Sequence, residues 1–287
     1  MPHRLPVELG AALRHAEERL RDAGVESPAA DAAWLVEAVS GLSPSRQKLQ
    51  LATRLLPQAR RRLRRLLERR AAREPLQLVL GETEFFGLSM RVRPGVLVPR
   101  PETEVLVELA LADLPRTEGT TFIDVGCGSG AVALAVAAAR PAARVLASDL
   151  DPRAVRLTRH NVRALALAVS VHRSDLLASA RLASAVRQAD VLAANLPYLG
   201  RSEAYSLPPE LTWDPPEALL AGSDGLLLAR RLRAQAWRLL KRGAVLWLEL
   251  DARNAGLFAR EARMLGWREV QLAPDLVGRR RFVRTVR

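Results

Sequence analysis

From Thr120 onward the sequence alternates short apolar runs with longer amphipathic ones, and that alternation is the strongest restriction on what the chain can fold into. Thr121-Phe122-Ile123-Asp124-Val125, Arg144 to Ser148, Val169 to His172, Asp190 to Ala194 and Val245 to Leu250 read as strands. Helical segments from Ser129 to Arg140, Pro152 to about Leu167 and Gly225 to Leu240 lie between them. A helix between two strands leaves room for a crossover, so such strands pair in parallel. The pattern predicts an α/β fold, a doubly wound sheet with helices on both faces. Glu269 to Leu272 and Arg281 to Val286 have no room for a helix between them and are expected to close the sheet as an antiparallel hairpin.

The first 74 residues follow a different period. Leu9, Leu13, Ala16 and Leu20 recur at helical spacing, with Gly24 as a C-terminal cap. Ser27-Pro28 combines an N-cap with a first-turn proline and opens a helix through Trp34 to about Ser40. In the run Arg60 to Arg70, Leu63, Leu66 and Leu67 form a stripe that buries, leaving arginines on the other faces. Those arginines suit either a solvated helix face or a surface turned toward RNA or the ribosome. Leu76 to Leu80 and Leu88 to Val92, punctuated by Gly81, Gly87 and Pro94-Gly95, read as short strands. The expected organisation is a helical domain over 1–74, a β-hairpin linker over 75–98 and an α/β domain over 99–287.

The net charge of +13 raises the question of a nucleic-acid partner. All but two of the 44 basic residues are arginine, a skew that a GC-rich genome produces by itself, so the number is not diagnostic. The single cysteine, Cys127, excludes an internal disulfide and fits a reducing cytoplasm. His3, His15, His160 and His172 have no metal-ligand spacing with each other or with Cys127, and no metal is expected. The longest apolar run, Ala131 to Ala139, is far too short to span a bilayer, and no membrane partner is expected.

Chemistry concentrates at the ends of the strands. Asp124-Val125-Gly126-Cys127-Gly128-Ser129-Gly130 ends one strand and opens a helix, where glycines permit close approach of a ligand and free N–H groups await it. The same residues would also serve a plain strand-to-helix turn. The dinucleotide fingerprint requires glycine at position 131, where alanine stands. Asp149 ends the next strand, nineteen residues after Gly130; it can accept both ribose hydroxyls of S-adenosylmethionine or a dinucleotide, or cap the helix at Pro152. Leu176, after the third strand, can offer apolar contact to an adenine ring. Asn195-Leu196-Pro197-Tyr198 ends the fourth strand on the edge where such sheets bind ligands. The Asn195 side-chain oxygen and the carbonyl of Leu196 can hold the two hydrogens of a planar nitrogen, with Tyr198 stacked on it. With a sulfonium methyl as electrophile, positioning supplies most of the catalysis.

Around these residues the chain resembles the HemK/PrmC-type methyltransferases that modify the glutamine of the Gly-Gly-Gln loop in peptide release factors. The resemblance runs through Glu74-Pro75-Leu76-Gln77, Gly81 to Gly87, Val96-Leu97-Val98-Pro99-Arg100-Pro101-Glu102-Thr103-Glu104, Glu217-Ala218-Leu219, Gly222 to Leu226 and Pro274 to Arg279. It implies a class I methyltransferase domain of Rossmann-like fold holding S-adenosylmethionine, and an N-terminal helical domain that docks the release factor. It implies Gly126, Cys127, Gly128, Ser129, Gly130, Asp149, Leu176 and Asn195 on the cofactor, and Asn195, Leu196, Pro197 and Tyr198 on the glutamine. Asn195, Pro197 and Tyr198 are then the catalytic set. Three departures stand out: Leu196 replaces the first proline of Asn-Pro-Pro-Tyr, Cys127 replaces a common threonine, and Glu249 to Asn254 replaces Glu-Ile-Gly-x-x-Gln. Asn-Leu-Pro-Tyr also looks like the motif of rRNA adenine dimethylases, which lack the Pro-Arg-Pro-Glu-Thr-Glu run. A basic RNA- or ribosome-binding module without turnover is the alternative of another class.

Overall fold

A computed structural model describes residues 5–206 and 208–287. They fall into two compact units, Met1–Gly81 with Pro208–Trp213, and Glu82–Leu207 with Asp214–Arg287.

The smaller unit comprises α1 (Leu9–Asp22), α2 (Pro28–Ser40), α3 (Pro44–Leu49), α4 (Pro57–Ala71) and α5 (Leu76–Leu80). Leu9, Ala12, Ala16 and Leu20 of α1 meet Leu35 and Val36 of α2 and Leu63 and Leu67 of α4 in one core. The three- and four-residue steps put each set on one helix face. Several arginines of α4 are structural. Buried Arg70 donates to Asp31 at 2.6 Å and to Glu210 at 3.1 Å, and Arg69 donates to Glu74 and to the carbonyls of Leu78 and Val79. Arg61, Arg62, Arg64 and Arg65 are exposed. Glu210 lies in the 3₁₀ segment Pro209–Trp213, whose place in the helical unit the strand-helix alternation did not reveal.

Leu76–Leu80, read from sequence as a strand, is a helix. Pro75 precedes its first turn, and Gly81 ends it in the left-handed region at φ 85°, donating to the Gln77 carbonyl at 2.7 Å. Glycine has no Cβ to oppose that conformation, so the helix can stop within five residues.

The larger unit opens with the hairpin β1 (Glu82–Phe85) and β2 (Leu88–Arg91), followed by α6 (Thr103–Asp113). There follow β3 (Thr121–Val125), α7 (Ala131–Ala139), β4 (Arg144–Asp149), α8 (Pro152–Ala164), β5 (Val169–Arg173), α9 (Ala180–Gln188) and β6 (Val191–Asn195). Three 3₁₀ segments lead to α10 (Leu227–Leu239), then β7 (Val245–Glu249), α11 (Ala252–Met264), β8 (Arg268–Pro274) and β9 (Arg280–Val286). The seven strands β3–β9 form one sheet in the order β5-β4-β3-β6-β7-β9-β8. All neighbours are parallel except at β9, which runs antiparallel to both β7 and β8.

Alternate residues of each strand go to opposite faces, and both faces are covered. Ile123, Leu146, Leu192, Leu246 and Val283 join one core, while Phe122, Val145, Val191, Val245 and Phe282 join the other. The strand order reverses between β3 and β6, so the C-terminal ends of those two strands flank the crevice where an open α/β sheet takes its ligand. Among the described residues no helix is long and apolar enough to cross a membrane.

Candidate active site

A cavity of about 460 Å³ opens at those strand ends. Its wall includes Gly126, Cys127, Gly128, Ser129, Asp149, Leu176, Asn195, Leu196 and Pro197, so four separate strand ends are brought together. Gly130 and Tyr198 are not part of that wall. Gly130 instead allows the loop to approach α8, since a Cβ there would lie 2.7 Å from Thr158 Cγ2. Tyr198 packs against the hydrophobic core, where burial, reinforced by the Glu249 charge, pushes its phenol up to about 12.

The glycine loop is tied down by its neighbours. The amides of Gly126 and Cys127 donate to the Ser148 carbonyl at 2.8 and 3.0 Å, and Gly126 holds φ 75°. A residue with a side chain would be strained at that angle. A Cβ on Gly128 would meet nothing nearer than Val96 Cγ1 at 3.9 Å, so the space beside this peptide is open. Cys127 is a neutral packing group: burial pushes its thiol up, and Sγ lies 3.5 Å from Thr158 Oγ1.

Asp149 accepts from Gly128 N and from Asp151 N, each at 2.9 Å. The first bond is to the glycine loop itself. Each carboxylate oxygen keeps a further lone pair, so both can still receive a hydroxyl. Burial raises its pKa, and the two backbone donors oppose that rise. The capping oxygen at α8 comes from Asp151, which accepts from Arg153 N at 2.7 Å, so Asp149 is not the N-cap.

Asn195 Nδ2 donates to Thr103 Oγ1 at 3.0 Å, which fixes the amide with its oxygen as the atom available to an incoming donor. Leu196 is 4 % exposed and joins the core. Its carbonyl is contributed by backbone that Pro197 biases away from helical angles.

Other residues on the cavity escaped the reading of motifs by strand ends. Arg100 and Thr103 come from the Pro-Arg-Pro-Glu-Thr-Glu run, which carried only the family resemblance. Arg100 is paired with buried Asp214, whose Oδ1 also accepts from Val98 N at 3.4 Å. This pair holds the segment before α6 against the cavity. Asp124 closes the floor, accepting from Ala133 N at 3.1 Å, with burial pushing its carboxyl up to about 7.

The cavity suits S-adenosylmethionine: it has open space beside Gly128, a carboxylate at Asp149 and an apolar side chain at Leu176. Its volume lies in the ordinary range for small-molecule sites.

Residues 11–81 match the family described as PrmC N-terminal domain, and residues 102–204 match the methyltransferase small domain. Relatives named release factor glutamine methyltransferase include that of Deinococcus radiodurans, 43 % identical over 98 % of this chain and 99 % of its own. That of Moorella thermoacetica is 38 % identical over 95 % of this chain and 96 % of its own. Among solved structures, the hMettl16 catalytic domain shares the fold, with a TM-score of 0.57 at 18 % identity over 77 % of this chain and 81 % of that one.

Proposed function

The chain belongs to the release factor glutamine methyltransferase family, and from that membership we propose that it methylates the side-chain amide nitrogen of the glutamine in the Gly-Gly-Gln loop of peptide chain release factors. S-adenosylmethionine supplies an electrophilic methyl group on a sulfonium. Gly126, Cys127, Gly128, Ser129, Gly130, Asp149 and Leu176 are the proposed holders of that donor, Gly130 through the loop's shape. Asp149 receives the ribose hydroxyls, and the open peptide at Gly128 receives the amino-acid part of the donor.

The observation that carries the reading is the Asn195 amide, held by Thr103 at the edge of the donor cavity. An amide nitrogen is a weak nucleophile because its lone pair is delocalised. Asn195 Oδ1 and the Leu196 carbonyl accept its two hydrogens and aim the lone pair at the methyl. Pro197 shapes the acceptor wall, and Tyr198 supports the motif from the core side. The acceptor loses a proton after transfer, so alignment rather than a strong base is what the residues must provide.

The helical unit is the proposed docking surface for the release factor, supported by its match to the PrmC N-terminal domain. Contact with RNA or the ribosome rests on the exposed face of Arg61, Arg62, Arg64 and Arg65. The rRNA adenine reading is not favoured by relatives that match the whole length as glutamine methyltransferases. The test is methyl transfer from labelled S-adenosylmethionine to purified release factor and, separately, to small-subunit rRNA. Label on the release factor is expected; label on rRNA alone would overturn the reading.

A further inference from the structure

Three elements meet behind Asn195. β6 ends in Asn195 and β7 in Glu249, and these two residues are register partners on adjacent parallel strands. α6 begins at Thr103 and packs against both strands. Glu249 is 1 % exposed, and neither of its carboxyl oxygens has a hydrogen-bond partner among the described residues. Arg281 Nη1 is 4.0 Å from Oε1, near enough to attract but not to donate. Burial pushes the Glu249 carboxyl up to about 7, and the Thr103 hydroxyl beside it and the Arg281 charge oppose that rise, although the hydroxyl stops short of a made hydrogen bond. A buried carboxyl without a donor is costly, and a hydroxyl that already accepts from Asn195 stands next to it.

Resting on the methyl-transfer reading above, we propose that Thr103 and Glu249 are positioning residues that set which end of the Asn195 amide faces the methyl acceptor. In its ionised form the Glu249 carboxylate only accepts. A hydroxyl turned toward it presents its oxygen to the other neighbour, which must therefore donate. That neighbour is Asn195, so its nitrogen faces Thr103 and its oxygen faces outward. Reversed, the amide would present N–H groups to an acceptor nitrogen that also donates, and two donors would oppose each other. The proline-rich run thus acts on catalysis through its threonine, without touching the acceptor.

The chain has three asparagines, Asn161, Asn195 and Asn254, so asparagine-selective ¹⁵N labelling of the full chain yields three side-chain amide pairs, and Asn195→Ala identifies the relevant one. Hydrogen exchange of the Asn195 pair is expected to be slowed, to accelerate about tenfold or more in Thr103→Val, and to return in Thr103→Ser, since one decade corresponds to one ordinary hydrogen bond. In release-factor methylation, Thr103→Val and Glu249→Gln are expected to lower kcat by about tenfold or more while KM for S-adenosylmethionine stays within about twofold. Thr103→Ser should recover the rate. Unchanged Asn195 exchange in Thr103→Val, or a serine variant no better than valine, would overturn the proposal. A wild-type chain inactive on release factor would sink the methyl-acceptor reading instead, and the exchange measurement would still decide the brace.

Discussion

A Cβ placed on Gly126 would lie 2.6 Å from Cδ2 of Leu196, so the glycine loop and the Asn-Leu-Pro-Tyr motif share one close packing contact. The leucine that stands in place of the family's first proline therefore has a structural occupation: its side chain fills the space above a glycine.

That contact sets the expectation for Leu196→Pro. Proline retains the backbone carbonyl but gives up most of a buried aliphatic side chain, at a cost of about 1–3 kcal/mol of stability. The folded fraction should keep release-factor methylation within about tenfold, because the proposed contact with the acceptor is the carbonyl and not the leucine side chain. Urea titration and steady-state rates on one preparation separate the two effects. A folded variant slower by a hundredfold would mean that leucine shapes the acceptor pocket directly.

For the donor, Asp149→Ala is expected to weaken S-adenosylmethionine binding by roughly 1.5–3 kcal/mol, the range for hydrogen bonds to a charged group. The variant also frees Gly128 N and Asp151 N, so circular dichroism must first establish that it folds. Unchanged affinity in titration calorimetry would confine Asp149 to bracing the loop.

Asn195→Ala should leave donor affinity largely intact and lower turnover by about a hundredfold or more, as for loss of one placed polar group in a preorganised site. Near-normal turnover would remove Asn195 from the chemistry.

Gly225 tests Tyr198 from a distance. A Cβ at Gly225 would overlap the Tyr198 carbonyl oxygen, so Gly225→Ala must push the motif's tyrosine aside. Release-factor methylation should fall by about tenfold or more with donor affinity preserved, since small misplacements cost decades in rate. Equal loss of donor binding would instead indicate collapse of the whole cavity.

Stability should carry a proton through Asp124. Burial, reinforced by the Asp149 charge, raises its folded pKa from 3.8 to about 7, with the Ala133 amide opposing. The folded state then holds the proton more tightly than the unfolded chain. Its contribution is full below the unfolded value and is lost as pH rises through the folded one. The unfolding free energy of the wild type minus that of Asp124→Asn should therefore fall between about pH 4 and pH 7 and level off above ~8. A difference that grows with pH across that window would contradict the assignment.

The alternating sheet was legible because the central strands β3, β4, β6 and β7 bury both faces, and their residues had nowhere else to go. Parallel β3, β4, β6 and β7 follow directly from such runs, as does the closing antiparallel pair. Helices α6, α9 and α11 were not delimited in the reading, although crossovers require elements between strands. Leu76–Leu80 misled because five apolar-rich residues carry no distinguishable period, and the left-handed glycine after them decides the outcome. At the site, the glycine loop, Asp149 and Asn195 were legible because each sits at the end of a strand. Thr103, Asp214 and Glu249 were not, since their roles arise where α6, the segment before α10 and β7 converge.

The placement of β9 has a consequence for biosynthesis. It occupies an interior position between β7 and β8, yet it is translated after both. Until Arg280–Val286 has emerged from the ribosome, β7 presents an open apolar edge that includes Val245 and Trp247. A nascent chain stalled before Arg280 thus lacks the lateral partner of the strand that carries Glu249, and its exposed edge is a natural target for chaperones and proteases.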